Sequence, residues 1–328
     1  MIAPRFVLAT LPTPLVPAFR LQAAIGGPLI WVKRDDLTGF ANAGNKARAL
    51  EFLVGDAIAR GCDTVVTGGG ASSNFCAAAA AAAQVAGLAC QLVLYGSPPA
   101  AEHPNLAAAR AAGAEVHFTG RPDREEIDGA VVTRAAALGD RAYPVPRGGA
   151  TPVGALGYAH AYREVMAQLS QHHVAPGVMV VATGSGGTQA GLMAGTAAGT
   201  GAAGAAGGAT GWRILGATVS RPPDEIQATV AALAQAVVAE GVAGCEIVDA
   251  RGPGFGEPSD VGERAARIAW ETEGLLLDPV YTAKAFAVVV DLVAGGFCGP
   301  IVFWHTGGVA VALHHLASER SLRCPLPT

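Results

Sequence analysis

The sequence has little charge and lacks any run of basic residues. Charged side chains make up 15% of the 328 residues, and the formal net charge is −4. Proteins whose main partner is a nucleic acid carry a basic patch or stripe of lysine and arginine. We therefore expect no nucleic-acid partner for this chain.

Long apolar runs are also missing. The most apolar stretches are residues 76–90, which are mostly alanine, and residues 285–296, which contain Asp291. Neither reaches the roughly 18 strongly apolar residues that a membrane-spanning helix needs. The first 15 residues carry early prolines and lack the charged-then-apolar order of a signal peptide. These absences predict no membrane partner and a cytoplasmic location.

Metal-binding patterns are absent as well. The six cysteines form no CxxC pair, which argues against a zinc ribbon or a thioredoxin-type site. Two pairs of adjacent histidines occur at 172–173 and 314–315, but adjacent side chains diverge on a helix. We expect reduced thiols and no metal site.

Strand-type and helix-type segments alternate along the chain. Strands are predicted at 29–34, 63–70, 90–96, 114–118, 177–187, 212–220 and 300–308, and helices at 47–60, 73–87, 105–113, 224–237, 261–274 and 281–296. Residues 147–169 and the segment from about 188 are further predicted helices, and the small residues 201–211 are predicted as a surface loop. This alternation predicts an α/β fold with two open parallel-sheet units, whose ligands bind at the carboxyl ends of the strands.

Three glycine turns fall at predicted strand ends: TGGGASSN (67–74), ATGSGGTQAG (182–191) and WHTGG (304–308). Such turns expose backbone N–H groups at a helix N-terminus, where an anion binds well. Ser185 to Thr188 form the best candidate for a phosphate site, because two side-chain hydroxyls flank two glycines whose backbone N–H groups are accessible. No GK[ST] closes the turn as in a Walker loop, and the GxGxxG register of a dinucleotide site fails.

A lysine lies in a fourth turn of small residues. Lys46 follows Gly44 and Asn45, just where a helix is predicted to begin. A lysine amine together with a phosphate site is what pyridoxal phosphate (PLP) requires, since the amine forms a Schiff base with its aldehyde. An NAD-dependent oxidoreductase is an alternative, but it rests on the glycine turns alone.

Six segments in order carry a family resemblance: VKRDDLTGFANAGNKARALEFL, TGGGASSN, ATGSGGTQAGL, GPGFGEPSD, LLLDPVYTAKA and FWHTGG. Over residues 10–315 the chain resembles the D-cysteine desulfhydrase and 1-aminocyclopropane-1-carboxylate deaminase family. These are fold-type II PLP enzymes related to the tryptophan synthase β subunit. The resemblance implies a homodimer with two open parallel-sheet α/β domains, a large PLP-binding domain (1–48 and 156–328) and a small one (49–155).

The resemblance also implies roles for individual residues. Lys46 would bind PLP covalently and move the Cα proton, and Tyr281 would be a second acid/base group. Ser73 would contact the substrate carboxylate or the reacting carbon. The remaining implied PLP contacts are Asn74 to the ring hydroxyl, Thr306 near the ring nitrogen, and Thr183, Gly184, Ser185, Gly186, Gly187 and Thr188 around the phosphate.

The substrate side departs from the family pattern at three positions. Ser72 replaces a glutamine, the bulky Phe75 follows Asn74, and Phe255 takes the place of a tyrosine. All three, with Ser73 and Asn74, are expected to line the substrate site. A missing pocket hydroxyl can change substrate choice by orders of magnitude.

The reaction expected from the resemblance is β-elimination from a small amino acid, with D-cysteine as the first candidate. The family's deaminases place a glutamate directly after the catalytic tyrosine, whereas this chain has Thr282 there. A cyclopropane-carboxylate deaminase and a cysteate sulfo-lyase remain alternatives, as does a PLP-binding protein without turnover.

Overall fold

Two separate β-sheets, each flanked by helices, form the framework of the computed structural model, which describes residues 3–198, 211–238, 241–242 and 244–323. The strands are β1 Leu15–Pro17, β2 Ile30–Arg34, β3 Thr64–Gly69, β4 Ala89–Leu94, β5 Glu115–Phe118, β6 Ala142–Val145, β7 Val178–Thr183, β8 Arg213–Thr218, β9 Glu246–Asp249 and β10 Ile301–His305. The helices are α1 Phe19–Ile25, α2 Lys46–Ala59, α3 Asn74–Val85, α4 Pro104–Ala111, α5 Ile127–Leu138, α6 Pro152–Gln171, α7 Gly187–Ala198, α8 Pro223–Val237, α9 Asp260–Glu273, α10 Thr282–Ala294 and α11 Val309–Arg323.

The larger sheet has the order β1-β2-β10-β7-β8-β9 and the smaller one β5-β4-β3-β6. All strand pairs are parallel except β1 with β2, which adds a short antiparallel edge. The central strand β7 is VMVVAT and is buried at every position, as expected of a parallel strand covered on both faces. The predicted fold of two parallel-sheet α/β units is therefore confirmed.

The strands that sequence periodicity did not reveal are edge strands. β1, β6 and β9 have only three or four residues each and lie at sheet edges. A strand of this length shows little period-2 pattern, and of the four edge strands only β5 was predicted. Helices α1, α5 and α11 were also not predicted, and residues 201–210 of the predicted loop lie outside the described residues.

The two sheets use different parts of the chain. The four strands of the smaller sheet lie between residues 64 and 145, and the strands of the larger sheet lie on both sides of that range. The predicted domain boundaries at 48/49 and 155/156 stay a prediction. Each of them falls inside a helix. Those helices, α2 and α6, cross closely: a Cβ on Gly157 would lie 2.2 Å from the carbonyl oxygen of Arg48.

A buried network of charges fixes the start of α2. Arg48 donates to both carboxylate oxygens of Asp35 at 2.8 Å and to Glu164 on α6. Trp304 at the end of β10 donates its indole N–H to the same Asp35 at 2.8 Å. Lys33 on β2 donates to Glu164. The network therefore joins the carboxyl ends of β2 and β10 to the first turn of α2.

Within the described residues, none of the helices has both the length and the hydropathy needed to cross a bilayer.

Candidate active site

Lys46 is the first residue of α2 and lies against the end of β10. The preceding Gly44 has φ +57°, and a Cβ there would come within 2.3 Å of the carbonyl oxygen of Thr306. The backbone N–H of Asn45 donates to that same carbonyl at 2.9 Å. Only glycine allows this approach, so the turn presents Lys46 at a fixed position beside Thr306.

The amine of Lys46 differs from the other two lysines of the chain. Lys33 is ion-paired with Glu164, and Lys284 donates to two backbone carbonyls. No described residue receives a hydrogen bond from the Lys46 amine, which is half-buried. Burial lowers its pKa to about 8, although the Asp278 carboxylate acts in the opposite direction. An unbonded amine of low pKa is a competent nucleophile.

The predicted phosphate turn connects β7 to the N-terminus of α7. Thr183 ends the strand and its hydroxyl bonds Gln189, while Gly184 and Ser185 are partly open and α7 begins at Gly187. Gly186 has φ +93°, and a Cβ there would lie 2.9 Å from Val230. Among the described residues, no acceptor receives a hydrogen bond from the backbone N–H groups of residues 185–188, so these donors are available to an anion.

The lysine turn and the phosphate turn are directly joined. The side-chain amide of Asn45 donates to the Thr188 hydroxyl at 2.9 Å. Near the Thr188 hydroxyl lies the buried hydroxyl of Tyr158, which makes no hydrogen bond of normal geometry to any of the described residues. Buried polar groups are rarely left unpaired, so this hydroxyl fits a site that receives a polar ligand. Sequence reasoning missed both Asn45 and Tyr158.

Tyr281 lies on the opposite side of the phosphate turn. A Cβ on Gly184 would lie 3.0 Å from the Tyr281 ring, so the ring packs directly against the backbone of Gly184. The residue is 37% exposed, yet desolvation, aided by the negative charge of Asp278, raises the pKa of its hydroxyl. Tyr281 therefore keeps its proton at neutral pH and releases it less readily than an ordinary tyrosine.

Asp278 holds this tyrosine in place and was missed by the sequence analysis. Its buried carboxylate accepts hydrogen bonds from the backbone N–H of Tyr281 at 2.8 Å and from the Thr282 hydroxyl at 2.7 Å. A Cβ on Gly308 would lie 2.5 Å from it. Burial raises the pKa of Asp278, and these hydrogen bonds oppose the rise. The available signal was the Asp-Pro pair at 278–279, which is typical of a turn whose aspartate side chain accepts hydrogen bonds from the backbone N–H groups that follow.

The predicted substrate turn begins α3. Ser73 is the N-cap of this helix, and its hydroxyl accepts a hydrogen bond from the N–H of Cys76 at 3.2 Å. Asn74 follows as the first helical residue. The carbonyl of the exposed Ser72 accepts from the side chain of Asn105 at 2.9 Å, which fixes the turn from the side of α4.

A cavity of about 470 Å³ opens beside this turn. Ser72, Tyr95, His103 and His314 contribute its polar lining, which contains no lysine, arginine or carboxylate. Tyr95 was not identified from the sequence, although it directly follows β4 and so lies at the carboxyl end of a strand. A Cβ on Gly70 would lie 2.6 Å from its hydroxyl.

The two phenylalanines expected in the substrate site have different environments. Phe75 is only 3% exposed, and its ring occupies the space that a Cβ on Gly149 would need. It packs in the core beneath the turn, so we propose no direct contact between Phe75 and substrate. Phe255 is 36% exposed and stands edge-on to Tyr281, with 6.1 Å between ring centroids.

Among the described residues, no group of three or more histidines, cysteines, aspartates or glutamates is arranged to hold a metal ion.

The family of the chain follows from comparison with known proteins. Residues 7–307 match the family described as pyridoxal-phosphate dependent enzymes. The chain belongs to this family. The site suits the cofactor, because a free amine of lowered pKa lies next to an open helix N-terminus and an unpaired buried hydroxyl.

Among curated relatives, D-cysteine desulfhydrase from Salmonella newport (strain SL254) is 36% identical over 319 residues, covering 93% of this chain and 94% of the relative. The D-cysteine desulfhydrase from Salmonella typhi has the same identity and coverage. A solved structure described as an ACC deaminase homologue superposes with a TM-score of 0.87 at 33% identity, covering 98% of this chain and 97% of that one.

A solved threonine deaminase from T.th. shares the fold. Its TM-score is 0.67 at 21% identity, with 90% of this chain and 92% of that chain covered.

Proposed function

We propose that this chain is a PLP-dependent carbon–sulfur lyase that converts D-cysteine and water to pyruvate, hydrogen sulfide and ammonia. The observation that carries the proposal is the Lys46 amine, with a pKa of about 8, joined through Asn45 to the phosphate turn. The similarity to D-cysteine desulfhydrases over 93% of the chain supports this choice of substrate.

Each residue of the site has its own role in the proposed reaction. When bound, PLP supplies an aldehyde for covalent attachment and a ring that withdraws electrons from the substrate Cα. Lys46 would hold the cofactor and take the Cα proton, and the backbone N–H groups at the start of α7 would hold the phosphate. Tyr281, protonated at neutral pH, donates a proton to the departing sulfur.

The substrate turn and Thr306 complete the proposed arrangement. Ser73 and the adjacent N–H groups would bind the substrate carboxylate, and Asn74 would donate to the ring hydroxyl of PLP. Thr306 would supply a hydroxyl beside the ring nitrogen. A hydroxyl there, unlike a carboxylate, does not hold a proton on the nitrogen, which weakens electron withdrawal and favours elimination at Cβ over transamination.

Two observations disfavour the alternative reactions. The residue after Tyr281 is Thr282, whose buried hydroxyl is bound to Asp278, so no carboxylate is present at the position where the deaminases have glutamate. The 36% identity to D-cysteine desulfhydrases over 93% of the chain favours a thiol over the sulfonate of cysteate as the leaving group. Elimination of a neutral thiol is therefore the reaction that the site supports best.

Substrate assays test the proposal. D-cysteine, L-cysteine, cysteate and 1-aminocyclopropane-1-carboxylate are offered separately, and sulfide, sulfite and 2-oxobutyrate are measured. Sulfide from D-cysteine should exceed every other product. If sulfite were the main product, the protein would be a cysteate sulfo-lyase. If 2-oxobutyrate were the main product, it would be a cyclopropane-carboxylate deaminase. A cofactor-loaded protein whose spectrum no amino acid perturbs would be a binding protein without turnover.

The low pKa of Lys46 predicts the pH dependence of cofactor capture by the apoprotein. Only the unprotonated amine attacks an aldehyde, so the rate should rise with pH up to about 8 and then level off. At pH 7 about a tenth of the amine is unprotonated at this pKa, against about one part in 2500 for an ordinary lysine. Stopped-flow absorbance checks this. A capture rate that still rises at pH 9.5 would show that Lys46 has the pKa of an ordinary lysine.

We further propose that the enzyme is a cytoplasmic homodimer, as its family resemblance implies. Sedimentation equilibrium of the purified protein measures the assembly, and a monomer at micromolar concentration would contradict the dimer.

A further inference from the structure

Tyr281 is the last of three side chains that pack against one another in a row. The other two are not among the proposed catalytic groups. The guanidinium carbon of Arg124 lies 4.3 Å from the centre of the Phe255 ring. That ring in turn meets Tyr281 edge-to-face, with an interplanar angle of 76°. Phe255 is thus held between a cation and the phenol that the proposed reaction uses.

Arg124 comes from the part of the chain that forms the smaller sheet. It lies between β5 and α5, whereas Phe255 and Tyr281 lie between strands of the larger sheet. Arg124 also donates to the carbonyl of Ser220 at 3.3 Å, and the Ser220 hydroxyl donates to the carbonyl of Gly184 at 3.2 Å. One side chain therefore connects the smaller-sheet region with both Tyr281 and the phosphate turn.

The charge of Arg124 is already paired, which argues against a role in binding an anionic substrate. Its Nε donates to Glu125 at 2.8 Å, and Glu125 is also ion-paired with Arg147 at 2.9 Å. Arg147 is further bonded to Asp128. With its charge neutralised in this cluster, Arg124 acts on the site through its stacking and its position.

We propose that Arg124 and Phe255 are positioning residues for Tyr281, and that their stack holds the tyrosine over the phosphate turn when the two sheets enclose substrate. The inference rests on the proposed function, because it assumes that Tyr281 donates a proton during elimination. It also gives Phe255 a role, at a position where the family pattern has a tyrosine. A cation over an aromatic face and an edge-to-face aromatic pair are each directional enough to fix a ring.

The test is a comparison of Arg124→Met and Phe255→Leu in the natural and the Tyr281→Phe backgrounds. Each single change should lower kcat for sulfide release by about 3- to 30-fold, because the Tyr281 hydroxyl is then no longer held in its reactive position. In the Tyr281→Phe background neither change should lower kcat by more than about twofold, because the positioned hydroxyl is gone. Arg124→Lys should restore part of the loss.

Two further measurements separate positioning from general structure. The urea midpoint of unfolding and the dissociation constant for PLP should match those of the natural chain in the Arg124→Met and Phe255→Leu proteins. Equal losses of kcat in both backgrounds, or no loss in either, would overturn the positioning role alone. An unimpaired Tyr281→Phe protein would overturn both this inference and the acid role of Tyr281. If either Arg124→Met or Phe255→Leu fails to fold, the comparison of the remaining variant in the two backgrounds still tests the positioning role.

Discussion

The Lys46→Ala protein is expected to lose turnover of D-cysteine by about a thousandfold or more, because it loses both the covalent attachment point and the base. The structure leaves no substitute: Lys33 is ion-paired with Glu164, and Lys284 is held by two backbone carbonyls. Sulfide release under saturating PLP and substrate measures the loss. The visible absorption band of the lysine-bound cofactor should disappear with it.

Chemical rescue provides the control for this variant. Methylamine or ethylamine added to Lys46→Ala should restore part of the activity, because a small free amine can occupy the vacated space and accept a proton. Lys46→Arg keeps the charge but supplies no nucleophilic amine, and should stay as inactive as the alanine variant. Activity in Lys46→Arg close to that of the natural chain would contradict the role of Lys46.

A second large effect is expected from Arg48→Leu, this time on stability. Arg48 is 1% exposed and neutralises Asp35, which is fully buried, and Glu164. Removing one member of a buried ion pair leaves an uncompensated charge and costs about 3–5 kcal/mol. Urea unfolding monitored by circular dichroism should show a free energy of unfolding lower by this amount.

The matched control lies just beyond the other end of the same helix. Arg60 follows α2 and pairs with Asp56 at 2.9 Å, but its side chain is 62% exposed. Exposed pairs contribute about 0–1 kcal/mol, so Arg60→Leu should change the free energy of unfolding by no more than that. If Arg48→Leu were as mild as Arg60→Leu, the buried network would not be what fixes the start of α2.

Long apolar strands and glycine turns made the fold predictable from the sequence. The buried strands β3 and β7 each run into a glycine turn, and both lie where predicted. β1, β6 and β9 were missed because three or four residues give little periodicity, and β1 and β6 each contain a proline; β5, equally short but without proline, was predicted. Which strands neighbour each other also depends on contacts distant in sequence, such as β2 beside β10.

The candidate site was predictable where a local motif marks it, and not where distant segments meet. Lys46 and the turn ending at Thr188 each have a sequence signature, yet the Asn45 hydrogen bond joining them spans 143 residues. Arg124 reaches the ring of Phe255 from the other sheet region, and nothing in its own neighbourhood in the sequence indicates that contact. Phe75 looked like a pocket residue, but its helical position turns it into the core.

The most direct test of the account is to locate the cofactor attachment by mass spectrometry. Borohydride fixes the link between PLP and its lysine, and a protease digest then identifies the labelled peptide among those containing the three lysines. The account predicts the phosphopyridoxyl label on Lys46 alone. A label on Lys33 or Lys284, or bound PLP without any labelled lysine, would contradict it.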